Sequence, residues 1–207
     1  MQQNKLFCGP ATGTIILNAL RLRSQSSPKP EADGHVKSVE RKFLKSGFSP
    51  NFERYTQDNF FTPRSDRVKS RLEVFGKPLK GSTESDFGLQ LRQMAGFLTA
   101  HGLLAEIRVV NTDWTDDQVR DELRKNLERD GDFVIVNYHR PGLGQPGGGH
   151  ISPVAAYDEE SDSFLILDVN PNAAPWVWVA TKDLANAMRT KDTTENRGYL
   201  LVTDSRR

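Results

Sequence analysis

The chain carries one cysteine, Cys8, standing directly before Gly9 and Pro10 at the head of an apolar stretch, TIILNAL. A thiol at a helix N-terminus sits among unpaired backbone N–H groups and the positive end of the helix dipole. Both favour the thiolate, the nucleophilic form. Far downstream, GGGHISPVAAYDEESDSFLILDVNP (147–171) places His150 and Asp168 at the outer ends of two apolar runs separated by the polar DEESD. Read as an antiparallel hairpin turning near residue 159 or 160, this stretch sets Asp168 opposite His150 or diagonally next to it. Opposed residues share a sheet face, with Cβ atoms about 4.5–5.5 Å apart. The carboxylate then accepts the imidazole N–H, fixes its tautomer and stabilises its cation, the orienting role in a nucleophile–base–acid triad. Gln2, six residues before Cys8, offers an amide that can donate to a developing oxyanion together with the Cys8 backbone N–H. Gly9 beside the thiol and Gly149 beside the imidazole leave bare backbone for a substrate to approach.

Each of these features also has a plain structural reading. A lone cysteine serves as a small buried hydrophobe, a histidine and an aspartate at strand ends as exposed polar groups, and GGG as a flexible loop. In TQDNFF (56–61), Phe60 and Phe61 read as core anchors. Trp176 and Trp178 alternate with Val177 and Val179, so both rings point one way, to pack against a helix. Arg197, just before the last strand, reads as an exposed arginine. Asp158 to Asp162 form a solvated turn whose spacing does not match a calcium loop. His35, His101 and His139 have no paired acidic or thiol motif, and no metal ligands are assigned.

Positioning these residues is the work of the surrounding elements. At 207 residues the chain can bury one substantial core, or two small lobes sharing one. A formal net charge of +1 gives no reason to expect nucleic acid or an anionic membrane as partner. No apolar run approaches the ~20 residues of a membrane helix, and one cysteine excludes an intramolecular disulfide framework or a multi-thiolate metal site. The spacing predicts a buried helix from about residue 8 or 10 to 23, a polar, proline-punctuated surface excursion over 24–50 with a short helix near 36–44, and a helix over 86–100 ended by Gly102. Next come a strand LLAEIRVV, a capping box of Thr115 and Gln118 opening a helix to about residue 129, and a strand FVIVNYH. RPGLGQPGGG reads as a flexible loop. After it follow the hairpin, a strand WVWVA, a helix over 183–189 and a last strand GYLLVT. Helices dominate residues 1–130 and strands 131–207, so the fold class is α+β, with one catalytic domain built from a helical and a sheet lobe.

The order Gln2, Cys8, His150, Asp168 resembles papain-like cysteine peptidases, in which a Cys-bearing helix packs against a sheet bearing His and Asn or Asp. Within that clan the chain is identified as a member of the phytochelatin synthase family. The stretches that carry the likeness are NKLFCGPATGTIILNAL, TQDNFF, GDFVIVNYHR, GGHISPVAAYDEESDSFLILDV, PWVWVATKDLANAM and NRGYLLV, in family order over nearly the whole chain. The resemblance implies a papain-like fold and a Cys8–His150–Asp168 triad acting on the Cys–Gly bond of glutathione. It makes Gln2 an oxyanion donor and Arg197 the partner of a substrate carboxylate. Glutathione is the expected partner, no cofactor is required, and cadmium would stimulate through metal–glutathione thiolates. A homodimer is compatible with it, and so is residence in cytoplasm or periplasm. Where the family shows a basic, aromatic SRYKYPP-like segment after the triad aspartate, this chain has NPNAAPW, which bears on substrate preference. The family carries a segment upstream of the cysteine, so a longer gene product or an artificial start at Met1 is expected. The nearest alternatives are a double-glycine leader peptidase, which shares the CGPA-type opening, and an inactive module that sequesters glutathione.

Overall fold

The computed structural model describes residues 1–23, 38–48, 52–81, 83–170, 172 and 176–204. Helix α1 (Cys8–Arg23) starts on the cysteine, and its first half is buried from Cys8 through Thr14. Pro10 lies in the first turn, where its missing N–H has no helical partner to lose. Of the expected surface excursion only α2 (Ser38–Arg41) and its surroundings fall within the described residues. A two-stranded ribbon, β1 (Lys77–Pro78) and β2 (Ser85–Asp86), leads into α3 (Leu91–Ala100). This helix begins five residues later than its pattern suggested. Gly88, at φ +68°, bends the chain, and Gln90 is the extended N-cap, closing a capping box with Gln93. Residues 85–90 are therefore free to serve as a wall.

A six-stranded antiparallel sheet follows, in the order β3 (Leu103–Val109), β8 (Gly198–Asp204), β4 (Phe133–His139), β5 (Gly149–Asp158), β6 (Ser163–Ile166), β7 (Val177–Ala180). The edge strand β3 precedes residue 130 yet pairs along its whole length with β8, so the sheet crosses the expected boundary between lobes. Helices α4 (Asp116–Leu127, capped by Thr115 and Gln118) and α5 (Thr181–Met188) pack on one face with Val134, Val136 and Tyr138. On the other face α1 and α3 close over Ile135, Ile151 and Leu200. Alternation along β4 feeds both cores, as the two-residue period of a strand requires.

Three local expectations change. Trp176 and Trp178 are 64% and 50% exposed, because β7 is an edge strand and it is Val179 that points into the core. Asp162 is no idle turn residue: it accepts from Arg120 (2.8 and 2.9 Å), Tyr157 (3.0 Å) and Thr181 (2.6 Å), tying the hairpin to α4 and α5. The Arg120 guanidinium holds its carboxyl down at about 2. RPGL forms a 3-10 turn (Arg140–Leu143) rather than a loose loop. No helix among the described residues is long and apolar enough to cross a membrane.

Candidate active site

The β5–β6 hairpin pairs Val154 with Ile166, within the expected register, and, across a bulge, Tyr157 with Phe164, one residue beyond it. Extended past the end of β6, this register sets Asp168 diagonally from His150, the second of the two arrangements expected. His150 Nε2 lies 3.1 Å from Asp168 Oδ1, both side chains being buried. Helix α1 runs against β5, with the Thr12 hydroxyl donating to the Ile151 carbonyl at 3.1 Å. That contact brings the first turn of α1 to the start of β5, so the Cys8 thiol meets the His150 side chain.

Electrostatics agree with the geometry. Burial alone would raise the Cys8 pKa, but hydrogen bonding to His150, the imidazolium charge and the Ile151 and Gly9 backbones together hold it below the ordinary thiol value. For His150, burial works against the cation. The Asp168 hydrogen bond and the Cys8 thiolate outweigh it, and its pKa is raised. Burial likewise opposes ionisation of Asp168, yet its partners keep its pKa below the usual carboxylate value. All three shifts act in the direction that favours a thiolate–imidazolium pair with an ionised carboxylate behind it.

Asp168 has partners that sequence spacing did not reveal. Arg140, 2% exposed, donates from Nη2 to both carboxylate oxygens at 2.7 and 2.6 Å. The Tyr138 hydroxyl adds 3.3 Å and the Asn170 backbone N–H 2.7 Å. Tyr138 also stands directly across the ladder from His150, its ring edge-on at 5.6 Å. Arg140 closes the following loop as well, bonding the Gln145 side chain (2.7 Å) and the Gly148 carbonyl. One buried guanidinium thus fixes both the carboxylate and the loop that delivers His150. The only sequence signal for it was its place directly after FVIVNYH.

Beside the pair lies a cavity of about 240 Å³, with Cys8 and His150 in its lining. One wall is the 85–90 segment. Its underside is held by a buried ion pair, Lys69 Nζ to Asp86 Oδ2 at 2.9 Å, with Gln90 and Gln93 donating to the same carboxylate at 2.7 and 2.6 Å. The opposite wall carries Asn137, Asp192 and Arg197. Arg197 is 6% exposed and reaches Asp192 at 3.1 Å, Asn137 donates to the other Asp192 oxygen at 2.8 Å, and Arg197 Nε is buried without a partner among the described residues. The expected exposed-arginine reading of Arg197 is thus replaced by a buried side chain at the cavity.

The two glycines act differently from the open approach expected of them. A Cβ on Gly9 would stand 2.9 Å from Leu89 Cδ1, so its bareness admits the wall. A Cβ on Gly149 would stand 2.8 Å from Arg197 Nη2, so there the guanidinium takes the space. Gln2 is docked beside Asp168 by its backbone N–H on the Val169 carbonyl (2.7 Å), while its side-chain amide donates to the Asn4 carbonyl (2.9 Å). Among the described residues no group of three or more His, Cys, Asp or Glu side chains could hold a metal ion.

The model of the phytochelatin synthase family matches residues 1–199, a span that contains every residue of this site. Glutathione gamma-glutamylcysteinyltransferase 1 of Lotus japonicus is 36% identical over 204 residues, 97% of this chain and 33% of that protein. Glutathione gamma-glutamylcysteinyltransferase 3 of Lotus japonicus is 40% identical over 90 residues, 42% of this chain and 19% of its own length. Glutathione gamma-glutamylcysteinyltransferase 2 of Arabidopsis thaliana is 38% identical over 106 residues, 50% and 24% of the two chains. The chain spans a third or less of the length of these relatives. From a family match over almost its whole length, the chain belongs to the phytochelatin synthase family.

Proposed function

We propose that the protein cleaves glutathione to γ-Glu-Cys and glycine through a thioester on Cys8, and forms phytochelatins only weakly. The observation that carries this reading is the Arg197–Asp192 pair in the wall of the cavity that also holds Cys8 and His150. A γ-linked glutamyl group keeps both its α-amine and its α-carboxylate, and a cation beside a carboxylate complements that zwitterion. An interior residue of an ordinary peptide has neither charge to offer, which disfavours the leader-peptidase alternative. The relatives are named for transfer of the γ-glutamylcysteinyl group of glutathione, the acyl group that this mechanism puts on Cys8.

In this mechanism the Cys8 thiolate attacks the Cys–Gly carbonyl carbon. The Cys8 backbone N–H and the second N–H of the Gln2 amide stabilise the oxyanion. His150 gives its proton to the departing glycine nitrogen, leaving γ-Glu-Cys as a thioester on Sγ. The neutral imidazole then takes a proton from water, and attack on the thioester releases γ-Glu-Cys and restores the thiol. A second glutathione amine in place of water would lengthen the chain. That outcome requires the acceptor to be held near attack geometry, since positioning supplies several kcal/mol of a barrier. This chain has one cysteine and NPNAAPW in place of a basic, aromatic segment, of which residues 171 and 173–175 lie outside the described residues. Water therefore wins, and cadmium acts only by changing the glutathione thiolate species offered.

The test is mass spectrometry of products at millimolar glutathione, with and without cadmium. γ-Glu-Cys and glycine should dominate in both. Predominant (γ-Glu-Cys)n-Gly would refute the hydrolytic preference, and intact glutathione would refute the reading altogether.

A further inference from the structure

The cavity's charge is not exhausted by the triad and the Arg197–Asp192 pair. Lys5 also lines it. This lysine sits on a turn immobilised from both sides: Phe7 N–H donates to the Asn4 carbonyl, Leu6 N–H to the Asn4 side chain at 2.9 Å, and Gln2 to the Val169 carbonyl. The 85–90 wall approaches the same turn, because a Cβ on Gly88 would lie 3.5 Å from the Leu6 carbonyl. The Lys5 side chain is exposed and makes no ion pair among the described residues. The backbone is thus pre-set while the ammonium is left for a ligand.

Counting the lining charges shows what that ligand must be. Lys5, Arg197 and protonated His150 are cationic, while the Cys8 thiolate and Asp192 are anionic, which leaves one positive charge in excess. Arg197 and Asp192 are paired with each other, the cation–anion pair assigned above to the glutamyl end, and His150 is paired with Cys8, so Lys5 is the cation left over. The cavity therefore favours an anion beyond a zwitterion. Glutathione has two charged ends of different kinds. Its glutamyl end is an amine with a carboxylate, which matches a cation–anion pair. Its glycyl end is a carboxylate alone, which matches a cation alone. With standard bond lengths, that carboxylate carbon stands only about 3–4 Å from the scissile carbonyl carbon, and Lys5 is three residues from the nucleophile.

Resting on the glutathione reading above, we infer that Lys5 binds the glycyl carboxylate of the substrate and so makes the enzyme selective for a free C-terminal carboxylate on the leaving residue. Lys5 takes no part in proton transfer, so its effect falls on KM. The test compares glutathione with its glycyl ethyl ester, in which that carboxylate is masked, using wild-type enzyme, Lys5→Ala and Lys5→Glu. Wild type should show a KM for the ester about five- to tenfold above that for glutathione, the scale of one charge-assisted hydrogen bond. Lys5→Ala should raise KM for glutathione by a similar factor, with kcat within about twofold and the KM for the ester changed less than twofold. Lys5→Glu should reverse the preference. Equal effects on both substrates, or none on glutathione, would overturn the inference while leaving the cleavage reaction standing. A wild-type enzyme that cleaves neither compound would overturn the underlying reading instead. Iodoacetamide labelling of Cys8 at the wild-type rate in both variants separates lost binding from lost folding.

Discussion

Two buried ion pairs flank the cavity, and they do different work. Arg140–Asp168 stands behind His150, and its carboxylate shares one oxygen with that ring. Lys69–Asp86 stands behind the 85–90 wall, and its carboxylate is filled out by two glutamine amides. In the first pair the charge is coupled to a proton carrier, so disturbing it changes chemistry. In the second every partner is part of the scaffold, so disturbing it changes shape. For Lys69, burial pushes the pKa down while Asp86 pulls it back up, the balance of a structural ammonium. A buried charge pair is thus read by what shares its carboxylate.

Substitutions can break that contrast at several strengths. The largest effect lies at the nucleophile that the Arg140 side serves. Cys8→Ala should retain the fold, since it removes one small atom, while turnover falls by several orders of magnitude. An activity within tenfold of wild type would show that the Arg140–Asp168 pair behind His150 serves no thiol.

Next comes Asp168→Asn. Losing the carboxylate strands the Arg140 guanidinium in the interior and destabilises the fold by about 3–5 kcal/mol. It also leaves the His150 cation without its partner, so kcat should drop about 10²- to 10⁴-fold. Denaturant unfolding and steady-state rates measure the two separately.

Arg140→Gln should lower kcat about tenfold or more and change the acid limb of stability. Asp168 has a folded pKa below its unfolded value near 3.9, so its contribution is present above that value and lost as pH falls through the folded one. Without the guanidinium the folded pKa rises toward 3.9 and the difference narrows. Wild type should therefore hold a Tm advantage at neutral pH that shrinks as pH falls from about 4 toward the folded pKa. A constant advantage down to pH 2.5 would show that Arg140 acts only by packing.

Lys69→Met should do the least to chemistry. It weakens the wall, so KM for glutathione should rise about three- to tenfold while kcat stays within about twofold. The pH profile of Cys8 alkylation should stay where it was. A shifted profile would erase the distinction between the two pairs.

How much of this was legible beforehand follows from where the signals live. Cys8 before a buried helix, the two runs bearing His150 and Asp168, and the Thr115–Gln118 box are local patterns, and local patterns survive folding. Asp168 came out diagonal to His150 because a bulge shifts the register between Val154 and Ala156, and a bulge leaves no mark in alternation. Arg140, Asp192 and Lys69 were hidden because their partners lie 28, 5 and 17 residues away with no motif to join them. The tryptophans of β7 were misjudged because alternation tells that they share a face, not that the strand lies at the sheet edge. Gly9 and Gly149 read as room for a substrate, but Leu89 and Arg197 take that space, and a glycine does not say what fills it.

The account rests on a γ-Glu-Cys thioester at Cys8, and intact-protein mass spectrometry after rapid acid quench of the enzyme with glutathione tests it most directly. The prediction is a mass gain equal to one γ-Glu-Cys acyl group, mapped to Cys8, removed by hydroxylamine and untouched by a phosphine reductant. No gain, or a gain equal to whole glutathione that the reductant removes, would contradict it.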